Sequence, residues 1–386
     1  MMRKFSERVE IRLGYRCNAR CPFCYYLDSV TSSKGEPSTQ QVLSRLRVMR
    51  KQGATEVEFT GGEPTIRKDI FELVAYATEL GYINISFITN GLRLASKAFA
   101  DRLLDAGAND FLFSIHGHNS ELHDSQTQIN GSFNKILAAV ENVKSRGARC
   151  RGSTTVNGQN YKHVVDIVGK LVQLKMQCIH LAVFSPVAQA DGANKAMFVT
   201  YSNATDQIKK AIDQHKHQLP PISVKYVPPC FMRGYEKHVM NLYQQSFDPD
   251  DWNYYLSQVV RRGDKWYHRW AVSSIALAGS VFLKDHSFAT RHGVYGLRVF
   301  GVTRLVELLR KRRPKACKDC AYDNVCDHVW KDYIDEFGTS EFVPVPGKKI
   351  SDPAWCYELA SYREPGVRVA TVSPPIVTQI PCYAIE

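Results

Sequence analysis

Two rhythms of apolar and polar residues alternate along the first half of the chain. Val9, Ile11 and Leu13 fall at every second position, as in a half-buried strand. After a polar stretch, Ser38 opens a helix, with Gln41 three residues on completing a capping box. Val42, Leu43, Leu46 and Met49 form its apolar stripe, and Gly53 ends it. Residues 56–59 read as a strand, and Ile70, Leu73, Val74, Ala77 and Leu80 as a helix stopping at Gly81. Ile83, Ile85 and Phe87 then alternate into Thr89-Asn90-Gly91, a strand ending in a turn. The pattern predicts further helices over 96–106, 133–146, 161–174 and 204–217, with strands over 110–115, 151–156 and 178–184. Strands that are each followed by a helix predict a parallel sheet wrapped by helices. An open doubly wound sheet and a partial barrel both satisfy that pattern.

The rhythm changes after Pro220. Residues 252–270 are rich in aromatics and arginine, and 271–282 are nearly apolar. Val299, Val302, Leu305, Val306 and Leu309 make a helical stripe that runs into Arg310-Lys311-Arg312-Arg313-Pro314. The basic run reads as a solvated helix end whose charge complements the macrodipole. The expected organisation is an α/β unit over 1–220, a connecting region with helical segments over 221–315, a small cysteine-bearing extension over 316–364, and a Pro-rich tail over 365–386.

Composition narrows the class. The 386 residues are 44% apolar and contain no run long enough to span a membrane, so a cytoplasmic protein without a membrane partner is expected. Eleven cysteines then read as metal ligands and reduced thiols rather than disulfides. A net charge of +12 permits an acidic partner but does not specify one, and nucleic-acid binding is not expected from it.

The chemistry concentrates in Cys17-Asn18-Ala19-Arg20-Cys21-Pro22-Phe23-Cys24, directly after the first strand. Three thiolates can hold three corners of a [4Fe–4S] cubane and leave the fourth iron open. Zinc sites usually show paired arms, and none lies close by. Phe23 and the aromatic pair after the third cysteine, together with Thr60-Gly61-Gly62-Glu63-Pro64, make the chain resemble the radical S-adenosylmethionine (SAM) superfamily. The resemblance covers roughly residues 8–190. It favours a partial (βα)6 barrel and implies that Cys17, Cys21 and Cys24 hold the cluster on whose open iron SAM binds. It also implies that Phe23 lies near the adenine, while Gly61, Gly62 and Glu63 receive the SAM amino group. Ser114 and Asn157 occupy strand ends where related enzymes bind ribose and carboxylate, though each also reads as a plain turn residue. Asn90 is explained well enough by turn propensity. His116, His118, His123 and Asp124 resemble a stretch that approaches substrate in this superfamily; an ordinary loop is the competing reading.

A second constellation, Cys317, Cys320 and Cys326, resembles the SPASM or twitch extension of the same superfamily. Too few cysteines remain at the full SPASM spacings, so the resemblance implies one auxiliary [4Fe–4S] cluster. Cys230 is the expected fourth ligand, with Cys356, an open iron and a zinc site as competitors. Cys150 and Cys178 read as core thiols. The activity implied is reductive SAM cleavage to a 5′-deoxyadenosyl radical, supplied with electrons by a flavodoxin or ferredoxin. The radical then removes hydrogen from a peptide or small metabolite. The cluster loop begins almost at once, so no N-terminal peptide-recognition domain is expected. The ending Tyr383-Ala384-Ile385-Glu386 also lacks the Gly-Gly tail of the molybdopterin-precursor cyclase. Natural-product or peptide modification is the favoured expectation. A non-catalytic thiol-metal protein, binding nucleic acid through its basic surface, is the alternative.

Overall fold

The structure, a computed structural model, describes residues 5–27, 35–184, 195–261 and 266–356. The expected tail over 365–386, Cys382 and most of the polar stretch before Ser38 lie outside them. Seven parallel strands pair in chain order: β1 (Arg8–Arg12), β2 (Glu56–Thr60), β3 (Asn84–Thr89), β4 (Asp110–Ser114), β5 (Arg149–Val156), β6 (Ile179–Val183) and β7 (Ile222–Lys225). Between them run α1 (Thr39–Lys51), α2 (Ile70–Glu79), α3 (Lys97–Asp105), α4 (Ser120–Thr127), α5 (Ser132–Lys144), α6 (Val164–Gln173) and α7 (Tyr201–His215). The Ser38 capping box forms as its sequence predicts. Apolar helix stripes and the outward faces of the strands make one core, in which Leu46, Phe59, Phe87, Phe111 and Phe113 are fully buried.

The sheet curls into a partial barrel. Arg8 on β1 reaches Asp110 on β4 at 3.2 Å, and Arg151 on β5 reaches Glu58 on β2 at 2.8 Å, so strands three places apart meet across the lumen. These groups floor the barrel at the amino-terminal ends of its strands, leaving the carboxyl ends for the loops that carry chemistry. Burial pushes the Asp110 carboxyl up, but Arg151, Arg8 and Arg149 outweigh it and hold it at about 2.

The expected boundary at 220 falls just short of β7, a four-residue strand too brief to show a periodicity. The segment expected only to connect completes the barrel. Met240 N–H donates to Val224 O at 2.7 Å along the outer edge of β7. On the other edge, Asn253 N–H donates to Arg8 O at 2.8 Å and Glu10 N–H to Ser257 Oγ at 3.1 Å. Residues 239–257 therefore bridge the gap between the two edge strands, a way of managing unpaired backbone groups. Asp250 from this bridge closes on both Arg149 guanidinium nitrogens and offers its carbonyl to Arg151.

Beyond it lie α8 (Tyr254–Arg261), α9 (Trp266–Ser280), α10 (Ser287–Arg291) and α11 (Gly293–Arg310). The basic run after α11 is a solvated end in part: Arg310, Arg312 and Arg313 are exposed, whereas Lys311 is not. Lys311 and Arg312 form β8 (Lys311–Arg312) against β9 (Val329–Trp330). Lys311 is buried against Asp327 and the Trp330 ring, and Arg313 pairs with Asp323. The final helix, α12 (Lys331–Phe337), docks on α7 through Tyr333, which stacks on Tyr201 at 4.0 Å.

Candidate active site

The cysteine loop and the Gly-Gly loop leave adjacent strands, β1 and β2, and interlock. A Cβ on Gly62 would stand 1.9 Å from Arg16 O, and one on Gly61 2.3 Å from Gly14 O. Only glycine allows these two backbones to lie so close. Gly62 N–H donates to Gly14 O and Glu63 N–H to Arg16 O, which fixes the loops to each other. The close approach expected of these glycines is thus made to the cysteine loop's own backbone.

Glu63 is 3% exposed, with its carboxylate turned inward. Oε1 accepts from Thr65 N–H (3.1 Å), Thr65 Oγ1 (2.6 Å) and Thr89 Oγ1 (2.8 Å), and Oε2 accepts from Asn90 N–H (2.8 Å). Burial raises its pKa despite these bonds. All four donors are neutral, and no ion pair to Glu63 occurs among the described residues. Asn90 links this carboxylate to the cysteines: its Nδ2 faces Cys17 Sγ at 3.7 Å and donates to Asn18 Oδ1 at 2.8 Å. Turn propensity concealed that role; the cue available was a Thr-Asn-Gly at the carboxyl end of the strand next to the Glu63 loop.

Cys17, Cys21 and Cys24 are half-buried free thiols. Burial, joined by Glu63, pushes Cys17 up to about 11. Burial, joined by the other two cysteines, pushes Cys21 up to about 12. Backbone N–H groups of Ala19 and Tyr26 lie 3.4 Å from Cys17 Sγ and Cys24 Sγ, donors suited to thiolates. Phe23 is buried beside Phe184 and Met197, its ring edge-on to His116 at 4.7 Å.

The remaining strand-end residues diverge. Ser114 is half-buried at the end of β4, in register with Ser153. Asn157 is fully buried; its Nδ2 donates to Gln126 Oε1 at 2.7 Å and its Oδ1 accepts from Gln159 N–H at 2.9 Å. These partners make it the latch of the turn after β5. His116 and His123 are buried neutral rings, since burial pushes them down to about 3 and about 4. Each Nδ1 accepts a backbone N–H, from Thr155 and His116 respectively. His123 and Asp124 belong to α4, a helix where a loop was expected, capped by Asn119. Asp124 accepts from Gly131 N–H and Phe133 N–H, bracing the next helix. His118 instead approaches His163 and Asp166, their ligand atoms within 4.8 Å of one another.

At the other end, Cys230 lies in the turn after β7 and packs against Cys320 and Cys326. Burial, joined by Cys320 and Cys317, pushes the Cys230 thiol up to about 12. The buried Cys326 thiol is raised further by Asp327 and Cys230. Cys230 thus stands between Cys326 on one side and Cys317 and Cys320 on the other. His328 N–H and Val345 N–H point at Cys326 Sγ and Cys320 Sγ. The His328 ring lies between Glu307 (2.7 Å) and Asp323 (3.1 Å). Cys356 packs beside Met240 and Tyr243 and donates to Glu236 O. Cys150 and Cys178 are buried core thiols. Tetrahedral zinc would draw sulfurs to about 3.8 Å apart, given Zn–S bonds of about 2.3 Å. Neither cysteine set brings three sulfurs within 4.8 Å of one another; among the described residues only His118, His163 and Asp166 form such a group.

A partial barrel with a three-thiol loop and an inward carboxylate at its carboxyl end defines a class of cluster-dependent proteins. Residues 11–171 match the model of the radical SAM superfamily. The chain is 29% identical over 174 residues to an AdoMet-dependent heme synthase of Oleidesulfovibrio alaskensis, covering 45% of this chain and 44% of that enzyme. It is 28% identical over 201 residues to a probable GTP 3′,8-cyclase of Sulfolobus acidocaldarius, covering 52% and 62%. The match thus spans less than two thirds of either relative. Streptococcus suis SuiB bound to S-adenosylmethionine superposes with a TM-score of 0.49 at 18% identity, over 57% of this chain and 51% of that one, too loosely to build on.

Proposed function

We propose that the protein is a radical SAM enzyme in which Cys17, Cys21 and Cys24 hold a SAM-binding [4Fe–4S] cluster. The observation that carries this is the junction at Asn90, whose backbone N–H meets the cation-less buried Glu63 carboxylate while its side chain faces the desolvated Cys17 thiol. Packed so closely, three thiolates and Glu63 repel one another, and a site of that kind favours a cationic occupant. A cluster held by Cys17, Cys21 and Cys24 would supply the one-electron reduction that cleaves SAM to methionine and the radical chemistry that removes hydrogen from substrate. Glu63 receives the SAM ammonium on the lone pairs its neutral donors leave open, and Phe23 covers the adenine side. Gly61 and Gly62 hold the two loops at fixed spacing, and His116 stays neutral beside Phe23. Ser114 stands at the rim for the ribose. Asn157 acts through the turn it latches.

Cys230, Cys317, Cys320 and Cys326 hold one auxiliary [4Fe–4S] cluster in the extension beginning near 316. Its support is the packing of Cys230 against the cluster that holds Cys320 and Cys326, and the backbone N–H groups aimed at those two sulfurs. A flavodoxin- or ferredoxin-type donor supplies electrons. The substrate is a peptide or small metabolite, and the names of the two relatives, a heme synthase and a GTP cyclase, put weight on a small metabolite.

The test is the combined Cys17→Ala, Cys21→Ala, Cys24→Ala variant, prepared anaerobically and assayed for iron, sulfide and SAM cleavage. The wild type should bind about eight irons, four per cluster; the variant should lose about half of them and all cleavage. An unchanged cleavage rate refutes the assignment.

A further inference from the structure

The solvent face of α9 is largely apolar, with one charged side chain, the half-buried Arg269, between its two tryptophans. Trp266, Trp270 and Leu277 recur at intervals of four and seven, and Val281 continues the stripe just past the helix end; these four lie on one side. Their exposures are 70%, 67%, 38% and 72%, and Phe282, next to Val281, is 59% exposed. The opposite face is committed to α11. A Cβ on Gly279 would lie 2.5 Å from Gly301 O, and one on Gly301 1.9 Å from Ala276 O. The helices touch backbone to backbone, so α9 cannot roll its apolar side inward. A contiguous apolar surface of this kind on a soluble protein marks an interaction site.

Charge decides between occupants. Residues 254–313 hold twelve lysines and arginines against three acidic residues, and after Asp327 and Asp323 pair with Lys311 and Arg313 the segment keeps a net charge of +7. Among them Arg291, Arg310 and Arg312 are exposed. A second copy of so basic a segment would be repelled, and a nucleic acid offers phosphates but no apolar layer for Val281 and Phe282. Exposed tryptophan on a helix that carries Arg269 between Trp266 and Trp270 suits the headgroup boundary of an anionic bilayer, where the indole sits at the interface and the guanidinium meets lipid phosphate. No helix among the described residues is long and apolar enough to cross a membrane, so the contact would be made from one side.

We propose that the α9 face docks the protein on an anionic lipid surface. The experiment is co-sedimentation of the full-length, cluster-loaded protein with vesicles of phosphatidylglycerol mixed into phosphatidylcholine, and with phosphatidylcholine alone. Binding should require the anionic lipid, weaken at high salt, and shift tryptophan emission to the blue. The Trp266→Glu, Trp270→Glu double variant lies on the exposed side and should keep its iron content while binding about tenfold or more weakly. Absence of binding by the wild type, or equal binding by the variant, overturns the proposal. So does a wild-type dimer, abolished in the variant, that ignores vesicles of either composition.

Discussion

Glu63→Gln tests the ammonium contact and also separates it from the loop's stability. Glu63 Oε1 has three neutral donors and Oε2 has one, Asn90 N–H at 2.8 Å. In the glutamine variant the oxygen can keep the three, while the new amide nitrogen faces Asn90 N–H. A buried donor left without an acceptor costs about 1–3 kcal/mol, offset by removal of a carboxylate whose burial raises its pKa. The SAM contact has no such offset. A charge-assisted bond to an ammonium becomes a neutral one, a loss of about 1–2 kcal/mol, or about 5- to 30-fold in dissociation constant. Equilibrium binding of SAM to the anaerobic protein gives the comparison, with iron content as the control. Stability supplies a second signature. The folded state holds the Glu63 proton above its ordinary value of 4.5, so it binds more protons than the unfolded chain in the window just above that value. Stability contributed by this group therefore falls as pH rises through the window, and the glutamine variant lacks that slope. Equal SAM dissociation constants in the two proteins would show that Glu63 only shapes the turn.

Cys230→Ala should lose or alter only the auxiliary signal in electron paramagnetic resonance, keep uncoupled SAM cleavage, and fail on the true substrate; that phenotype in Cys356→Ala instead would move the ligand. Gly62→Ala forces a methyl against Arg16 O and should destabilise the interlocked loops by about 1–3 kcal/mol, read as lower iron retention in the first site. His116 and His123 are held below their ordinary 6.5, at about 3 and about 4, so the unfolded chain binds the extra protons. Denaturant midpoints should then fall as pH drops from about 6.5 toward 4, with a shallower slope in His116→Gln.

The elements that sequence exposes are those whose burial is apolar. Six strands and most of the barrel helices follow from Val, Ile, Leu and Phe at regular spacing, and the cysteine and Gly-Gly loops from motifs at strand ends. α4 was unreadable because its buried residues are His123, Gln126 and Thr127, held by hydrogen bonds rather than by an apolar stripe. β7 offered four residues and no period. The barrel floor joins Arg8 to Asp110 and Arg149 to Asp250, partners about a hundred positions apart that no local pattern relates. Asn90 looked like any turn residue until Glu63 and Cys17 were seen on either side of it. The basic run after α11 reads as wholly solvated because its acidic partners, Asp323 and Asp327, come later in the chain.

The stretch between the barrel and the cysteine extension ties them into one structure. Within it, Cys230 stands among the extension's thiols, and Asp250 plugs the barrel floor against Arg149. Between them, Tyr322 Oη donates to Glu236 at 2.7 Å, Gln244 Nε2 to Val325 O at 2.9 Å, and Tyr243 Oη to Glu307 at 2.8 Å. Each bond joins this stretch to α11 or to the extension, and two of the three residues on the stretch are buried. Ligand energy at a metal site is also folding energy. Filling the four-thiol site would therefore stiffen residues 230–250, and with them the bridge that spans the barrel's two edge strands. Cys230 follows the carboxyl end of β7, the same end of the sheet that carries the loop of Cys17, Cys21 and Cys24, and Phe337 of α12 reaches Phe198 beside Phe23, so the extension is placed to steady that loop directly.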